Sequence, residues 1–230
     1  MRHPVPVSDI RVIADEGDDS IQMGNAREYV EGEAGVDTVS YLTAPKGFTV
    51  YLDASELSAG AASGDTFYPV EYVYGSNFNY RLLGTDEANF LYGNKGNYVL
   101  SSGDGADRRG GYKGNDELTG RDRDDTSKFY GTVNEGVNQI SDFTNDLGNN
   151  DVIALFTGGL FADLSPGSLA PSQFRSRNDN VAQDADDRFI FNKTDKKLWF
   201  DLNGNLESGL TQILRLTDAT NLTFADIVIL

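Results

Sequence analysis

The 230-residue sequence predicts an all-β fold, in which short parallel strands stack in register and an antiparallel β-rich segment follows them. Three observations support this prediction. Nine-residue units repeat in a fixed frame over two stretches of the chain, 14–40 and 75–128. The composition is rich in turn formers, with 25 Gly and, by a count of the sequence, 26 Asp against 10 Glu. Short apolar runs alternate with polar turns toward the C-terminus.

Charge and composition exclude several classes of function. The formal net charge of −17 argues against nucleic acid as a partner, because a strongly acidic surface repels phosphate. No apolar run approaches the roughly 20 residues that a transmembrane helix needs, so no transmembrane segment is expected. Without Cys, and with His3 as the single His, disulfides, thiolate metal sites and His-based zinc or triad chemistry are excluded. The apolar content of 39% is sufficient for a packed core.

Each nonapeptide approximates the pattern G-G-x-G-x-D-x-U-x, in which U is a large apolar residue. The first six residues are expected to form a turn, and the last three a short strand whose U side chain points into the core. Two units then form one coil of 18 residues, and turns on the same side of the coil stack. Aspartate at the sixth position and the turn carbonyls offer the hard oxygen ligands that Ca²⁺ takes. The pattern therefore predicts several Ca²⁺ ions between stacked turns.

The repeats resemble those of the RTX (hemolysin-type calcium-binding nonapeptide repeat) family, most clearly in GNKGN at 93–97 and GYKGN at 111–115. Residues 41–74 resemble the strand-rich insert that often separates RTX blocks. Residues 129–230 resemble the C-terminal segment of serralysin-type and other type I-secreted RTX proteins. The resemblance implies a parallel β-roll, that is, an RTX calcium-binding solenoid, followed by an antiparallel β-rich C-terminal cap.

The resemblance also implies an organisation and a location. The predicted segments are an N-terminal lead-in (1–13), a first RTX block (14–40), a strand-rich insert (41–74), a second block of six nonapeptides (75–128) and a C-terminal β-rich cap with a secretion-signal segment (129–230). The last five residues, 226–230, resemble the acidic-then-apolar end of type I secretion substrates. We therefore expect type I secretion machinery as a partner and a secreted, extracellular or cell-surface location on a Gram-negative-type bacterium.

The sixth-position residues are the candidate calcium ligands. Because a coil holds two units, sixth positions 18 residues apart should stack in one column, as Asp19 with Asp37 and Asp107 with Asp125. The alternative, that these acids are merely solvated turn residues, predicts no such stacking. The full set of metal candidates is Asp19, Glu28, Asp37, Asn89, Asp107, Asp116 and Asp125.

Several positions depart from the pattern, and two interpretations are open: a repeat array that has lost sites by drift and keeps some calcium, or errors in the sequence assignment at these positions. Tyr80 and Tyr98 replace the acid in one column and should lie one above the other. An inward position on one side is occupied by Arg109, which should find an acid or turn outward, because an unpaired buried charge is strongly destabilising. The facing inward positions read Leu82, Leu100 and Leu118, an unbroken apolar ladder. Fourth-position Gly is replaced by Phe78, Glu87 and Arg123, and these replacements should strain the turn.

In the C-terminal segment, apolar runs at 152–156, 188–191, 198–201 and 211–216 predict antiparallel strands. Asn203-Gly204 between the last two is a hairpin signal. Asp201-x-Asn203-x-Asn205 resembles the start of an EF-hand loop, but Gln212 stands where the bidentate acid is required. This stretch is therefore predicted to be a turn.

The sequence predicts that the chain is not an enzyme, because it lacks His-Glu-x-x-His and because Asp pairs at turn spacing are what calcium columns require. The leading hypothesis is a calcium-binding extracellular RTX module that folds on calcium binding after type I secretion. The alternative is a structural or adhesive surface-layer or extracellular assembly protein built from RTX repeats. In that alternative, self-association would use a contact patch of Tyr80, Tyr98 and Phe78.

Overall fold

The computed structural model describes residues 10–53, 58–131, 135–146, 149–204, 209–219 and 221–230. Within these ranges the secondary structure consists of β-strands and three 3-10 helices, Gly159–Phe161, Pro171–Gln173 and Phe224–Asp226. The predicted all-β class is therefore confirmed. No helix in this part of the chain is long and apolar enough to cross a membrane.

The strands are short, and most have three or four residues. In chain order they are β1 (Ile10–Ile13), β2 (Ser20–Gln22), β3 (Glu28–Glu31), β4 (Thr38–Ser40), β5 (Phe48–Tyr51), β6 (Ala59–Gly60), β7 (Thr66–Tyr68), β8 (Tyr72–Tyr74), β9 (Tyr80–Leu83), β10 (Phe90–Lys95), β11 (Tyr98–Ser101), β12 (Arg108–Lys113), β13 (Glu117–Thr119), β14 (Thr126–Phe129), β15 (Asn138–Ile140), β16 (Asn145–Asp146), β17 (Asn149–Asn150), β18 (Val152–Leu155), β19 (Gly167–Ser168), β20 (Phe174–Arg177), β21 (Phe189–Asn192), β22 (Lys197–Asp201), β23 (Leu210–Leu216) and β24 (Ile227–Ile229).

Two large sheets contain most of these strands. Sheet one has the order β19-β24-β18-β14-β12-β10-β8-β4-β2, and β2 to β24 along it are parallel. Sheet two has the order β20-β21-β22-β23-β15-β13-β11-β9-β5-β6, and β5 to β23 along it are parallel. A third, three-stranded parallel sheet contains β1, β3 and β7. Strands β16 and β17 form a two-stranded antiparallel sheet.

The strands of the second block pair in the predicted 18-residue register. In sheet one, Phe90 lies opposite Arg108, and Arg108 lies opposite Thr126. In sheet two, Tyr80 lies opposite Tyr98. Successive units therefore alternate between the two sheets, and each residue lies beside its counterpart two units away.

Both sheets contribute to one apolar core. On sheet two the inward ladder is fully buried and consists of Leu82, Leu100 and Leu118, as predicted. On sheet one Leu91 is also buried in this core, but Arg109 and Ser127 follow it in register. Apolar filling is therefore continuous on sheet two and interrupted on sheet one.

The parallel stack extends beyond the two nonapeptide blocks. Strand β8, from the predicted insert, pairs with β4 and β10, and β18, from the predicted cap, pairs parallel with β14 and β24. The prediction that the run at 152–156 is antiparallel was wrong, because an apolar run does not specify the direction of its partners. Antiparallel pairing is confirmed for β21, β22 and β23, with the predicted Asn203-Gly204 turn following β22.

The outer face of sheet one carries stacked aromatic rings that the sequence analysis did not identify. Tyr72 and Phe90 stack with ring centroids 3.9 Å apart, and Tyr130 stacks on Tyr112 at 4.5 Å and on Phe156 at 4.3 Å. Each such pair contributes about 0.5–1.5 kcal/mol beyond area burial. These rings stabilise the pairing of neighbouring strands on the outer face of sheet one, as the leucine ladder does on the inner face of sheet two.

The fourth position of the repeat requires a left-handed backbone wherever Gly occupies it in the described turns. The glycines with φ between +124° and +153° there are Gly17, Gly35, Gly96, Gly105 and Gly114. The strain predicted for the replacements is confirmed at Arg123, with φ +86°, whereas Phe78 and Glu87 avoid positive φ. A Cβ added to Gly114 would also collide with the carbonyl oxygen of Gly96, one coil earlier.

We expect Gly114→Ala to lower the free energy of unfolding by more than about 3 kcal/mol, because it combines backbone strain with a collision between stacked turns. Gly17→Ala is the matched control, since Gly17 has φ +124° and no described atom within 4 Å of an added Cβ. It should show only the strain, about 1–3 kcal/mol. Denaturant unfolding measures both variants, and equal losses would contradict the stacking of turns.

Candidate metal centre

The sixth-position side chains of sheet one form a hydrogen-bonded ladder, which we call the first ladder. In this ladder, three carboxylates accept a hydrogen bond from the main-chain N–H of the residue stacked before them. Asn89 N donates to Asp107 Oδ1 (2.7 Å), Asp107 N to Asp125 Oδ1 (2.9 Å) and Asp125 N to Asp151 Oδ1 (3.1 Å). The predicted column of Asn89, Asp107 and Asp125 is therefore confirmed as a stack.

The first block shows the same pattern on sheet one, and we include it in the first ladder, although Glu71 N donates to Asp37 O and not to the Asn89 side chain. Asp19 N donates to Asp37 Oδ1 (3.0 Å), and Asp37 N donates to Glu71 Oε2 (2.8 Å). The predicted stacking of Asp19 on Asp37 is confirmed. The sequence analysis missed Glu71 and Asp151, which lie outside the nonapeptide frame. The available signal was their position, since each directly precedes a strand of sheet one, as a sixth-position residue does.

The second ladder runs along sheet two and contains Asp116. Tyr98 N donates to Asp116 Oδ1 (2.9 Å), and Asp116 N donates to Asn138 Oδ1 (3.0 Å). Tyr80 lies beside Tyr98, with ring centroids 4.5 Å apart and the rings tilted by 50°, as the spacing predicts for their positions. Asn138 was not a candidate from the sequence, because it lies 22 residues from Asp116 rather than 18.

Glu28 belongs to neither ladder. It lies in the three-stranded sheet, where its main-chain N–H donates to Asp65 Oδ1 (2.9 Å). Both of its carboxylate oxygens accept from Gly24 N at 3.1 Å. Burial, followed by repulsion from Asp65, raises the pKa of Glu28, although the Gly24 hydrogen bond opposes this. Tyr41 donates to the other Asp65 oxygen (2.7 Å), so both oxygens of Asp65 accept hydrogen bonds.

Four ladder carboxylates have one oxygen in the hydrogen-bonded ladder and a second that is buried without a hydrogen bond of good geometry. These second oxygens are Oδ2 of Asp37, Asp107, Asp116 and Asp125. The Ser102 hydroxyl interacts with Asp107 and lowers its pKa, and Arg109 pairs with Asp125. Burial raises the pKa of Asp107 to about 6 and of Asp116 to about 7, and it also raises the pKa of Asp37. A buried carboxylate oxygen without a partner is unfavourable, and a proton or a cation would relieve it.

The unpartnered oxygens of Asp37 and Asp116 face first-position glycines, and we call the space beside a first-position glycine a cradle. A Cβ added to Gly32 would collide with Asp37 Oδ2 and with the carbonyl oxygen of Pro69. A Cβ added to Gly111 would collide with Asp116 Oδ2. Glycine is therefore required because carboxylate and carbonyl oxygens occupy the room of a side chain.

The donor set of the cradles fits Ca²⁺, which takes six to eight hard oxygen ligands, including carboxylates and main-chain carbonyls. Within the described ranges, no group of three or more His, Asp or Glu side chains converges on a metal position. An ion in a cradle would therefore be held by one or two carboxylates together with main-chain carbonyl oxygens and water.

Tyrosine rings fill two of the cradles. Rings of Tyr80 and Tyr98 occupy the space beside Gly75 and Gly93, respectively. The Tyr98 hydroxyl accepts from Asn94 N (2.9 Å) and lies 2.8 Å from Ser76 O and 2.6 Å from Lys95 O. The phenol thus contacts the turn carbonyls itself, in place of an acid.

The prediction that Tyr80 and Tyr98 belong to a surface contact patch was wrong, because both rings are buried. Tyr80 is 4% exposed and Tyr98 is 1% exposed, so neither is available to a partner surface. Phe78 is 44% exposed and remains at the surface. The two tyrosines instead fill the interior, because their rings replace the carboxylates that would point to the same place.

The prediction that a buried Arg109 would pair with an acid is confirmed, because Arg109 is buried and forms an ion pair with Asp125. Its Nη1 lies 3.0 Å from Asp125 Oδ2 and donates to Ser102 Oγ at 3.2 Å. Both members of the ion pair are at most 1% exposed. Burial raises the pKa of Asp125, and the Arg109 charge opposes that shift.

No family model matches the chain, and no curated protein is significantly similar to it. We therefore base the function on the chemistry of the ladders and cradles. Their distinguishing property is a repeated buried carboxylate with an oxygen that accepts no hydrogen bond.

The raised pKa values predict that acid stabilises the metal-free chain. Burial raises the pKa of Asp107 to about 6 and of Asp116 and Asp151 to about 7, above the ordinary value of 3.8. Since the folded state then binds more protons, the contribution of these groups is fully present below about pH 4 and is lost as pH rises through about 6–7.

We expect the melting temperature in chelator, followed by circular dichroism, to rise as the pH falls from about 8 to about 5. Asp116→Asn should show a smaller rise, because it removes one of the titrating carboxyls. A melting temperature that falls over this range would contradict the assignment.

Proposed function

We propose that the chain is a calcium-binding RTX module, a parallel β-roll that completes its folding when Ca²⁺ binds outside the cell. The observation that carries the proposal is the set of buried, stacked ladder carboxylates, with unpartnered oxygens at Asp37 and Asp116. Neutralisation of such groups by a divalent cation couples metal binding to folding.

The alternation of strands supports the β-roll. Strands β9, β11 and β13 belong to sheet two, whereas β10, β12 and β14, which follow each of them along the chain, belong to sheet one. A roll of two nonapeptides per coil requires this alternation, since each coil gives one strand to each sheet. The shared apolar core of the two sheets agrees with it.

The best-supported ligands are Asp37 and Asp116, which combine an unpartnered oxygen with a glycine cradle. At Asp37 the carbonyl oxygen of Pro69 faces the same space. When bound, Ca²⁺ would supply the positive charge that these buried carboxylates lack. The chain's own residues hold the carboxylates in place through the ladder hydrogen bonds and exclude bulk water from them.

The remaining predicted ligands are less strongly supported. The unit that contains Asp107 begins with Ser102 and not with Gly, and the Ser102 hydroxyl interacts with Asp107. Asp125 is already paired with Arg109. Asn89 Oδ1 accepts from Thr85 N (2.6 Å), and Glu28 is capped by Gly24. Asp19 is partly exposed at the start of the first ladder. The assignment of these five residues as calcium ligands stays a prediction.

Type I secretion is the part of the proposal that concerns localisation. At low calcium the like-charged turns repel one another and favour an unfolded chain, which suits export, and extracellular calcium then favours folding. The terminal strand β24 lies between β18 and β19, with Ile227 and Ile229 buried. A C-terminal export signal would therefore be accessible only before the chain folds. The proposal includes neither enzymatic activity nor self-association.

The test is a calcium titration of the metal-free chain followed by circular dichroism, with melting temperatures at saturating calcium and in chelator. We expect calcium to raise the β signal and the melting temperature. Asp116→Asn should weaken calcium binding by about tenfold or more, since it removes a charged ligand. Asp86→Asn is the matched control, because Asp86 is an exposed turn acid outside both ladders.

The control should titrate as the parent does. A β signal and melting temperature that are the same with calcium and with chelator would overturn the proposed function. Equal calcium affinities for Asp116→Asn and Asp86→Asn would remove Asp116 from the ligand set.

A further inference from the structure

We infer that the guanidinium of Arg109 takes the place of a calcium ion between the coils that carry Asp107 and Asp125. This inference rests on the proposed function, and it divides the first ladder into coils that need an external cation and coils that contain their own. The position of the guanidinium, its surroundings and its effect on the neighbouring acids each support it.

The guanidinium lies inside a cradle. A Cβ added to Gly120 would collide with Asp125 Oδ2 and with Arg109 Nη1, and it would lie 2.6 Å from Arg109 Nη2. At Gly32 the corresponding space is bordered by Asp37 Oδ2 and a carbonyl oxygen. The cation therefore occupies, at Gly120, a place where the Gly32 and Gly111 cradles present a carboxylate without a cation.

The guanidinium also connects two stacked coils. Nη1 reaches Asp125 Oδ2 on one side (3.0 Å) and Ser102 Oγ on the other (3.2 Å). Ser102 and Gly120 are first-position residues 18 apart, so they belong to successive coils of the first ladder. An ion held between stacked turns would bridge the same two coils.

The surrounding positions are adapted to the long side chain. Arg109 occupies an inward position where its neighbour Leu91 is apolar, so burying it there is unfavourable unless it is paired. The next residue in register is Ser127, which is small and leaves space. Ser102 stands where the pattern has Gly and supplies the second hydrogen-bond acceptor.

The charge of Arg109 acts on three successive ladder acids. It lowers the pKa of Asp107, Asp125 and Asp151, against the larger effect of burial, which raises it. By contrast, no Lys or Arg among the described residues forms an ion pair with Asp37 or Asp116. The charge is therefore supplied internally at one group of coils and is missing at the others.

The experiment compares the calcium stoichiometry of the parent with that of Arg109→Leu, by equilibrium dialysis and calorimetry. Leucine restores the apolar residue that Leu91 provides one coil earlier. We expect Arg109→Leu to bind one Ca²⁺ more than the parent and to lose more of its β signal in chelator. Arg108→Leu is the matched control, because Arg108 is the adjacent, exposed arginine over the Phe90 ring and its loss changes the net charge equally.

A double variant, Arg109→Leu with Asp125→Asn, tests the origin of the additional ion. It should fold and return to the parent stoichiometry, because the carboxylate freed by the first substitution is gone. If Arg109→Leu is unfolded in chelator, recovery of its β signal with calcium supports the inference. Failure to fold at saturating calcium overturns it, since calcium then does not replace the guanidinium.

The outcomes separate this inference from the proposed function. Equal stoichiometry in the parent, Arg108→Leu and Arg109→Leu, with calcium bound by all three, overturns the inference alone. An additional ion that persists in the double variant also overturns it. No calcium binding by any of the four chains overturns the inference and the proposed function together.

Discussion

The structure depends on one repeated interaction, the hydrogen bond from a main-chain N–H to a sixth-position side-chain oxygen of the next coil. Asp107 N to Asp125 Oδ1 is a typical example, at 2.9 Å. This bond fixes the 18-residue register of the strands that follow. It also directs the second oxygen toward the first-position glycine, which explains why a side chain there would collide with it.

The same interaction creates an electrostatic problem, because it buries the sixth-position acids Asp37, Asp107, Asp116 and Asp125. Different coils solve it differently. Asn89 replaces the acid with an amide, Tyr98 replaces it with a phenol that contacts turn carbonyls, and Asp125 is paired with Arg109. Asp37 and Asp116 retain the unpartnered oxygen, and there the proposed calcium has its strongest physical reason.

The sequence could predict what the nine-residue frame determines. The frame placed Asp107 above Asp125 and Tyr80 beside Tyr98, and the cost of an unpaired buried charge implied a partner for Arg109. It could not predict Glu71, because the insert shifts its spacing from Asp37 to 34 residues instead of 18. Parallel pairing of β18 was missed for a related reason, since apolar pattern sets which face is buried and not which strand is adjacent.

An internal cation differs from a bound one in a way that matters for calcium-controlled folding. The guanidinium of Arg109 is covalently attached, so its neutralising effect does not depend on the calcium concentration, whereas the coils of Asp37 and Asp116 have no such group. In the proposed module, the steepness of the calcium response then depends on how many coils lack an internal substitute. In that module, Arg109 therefore exchanges calcium sensitivity for stability that is independent of calcium.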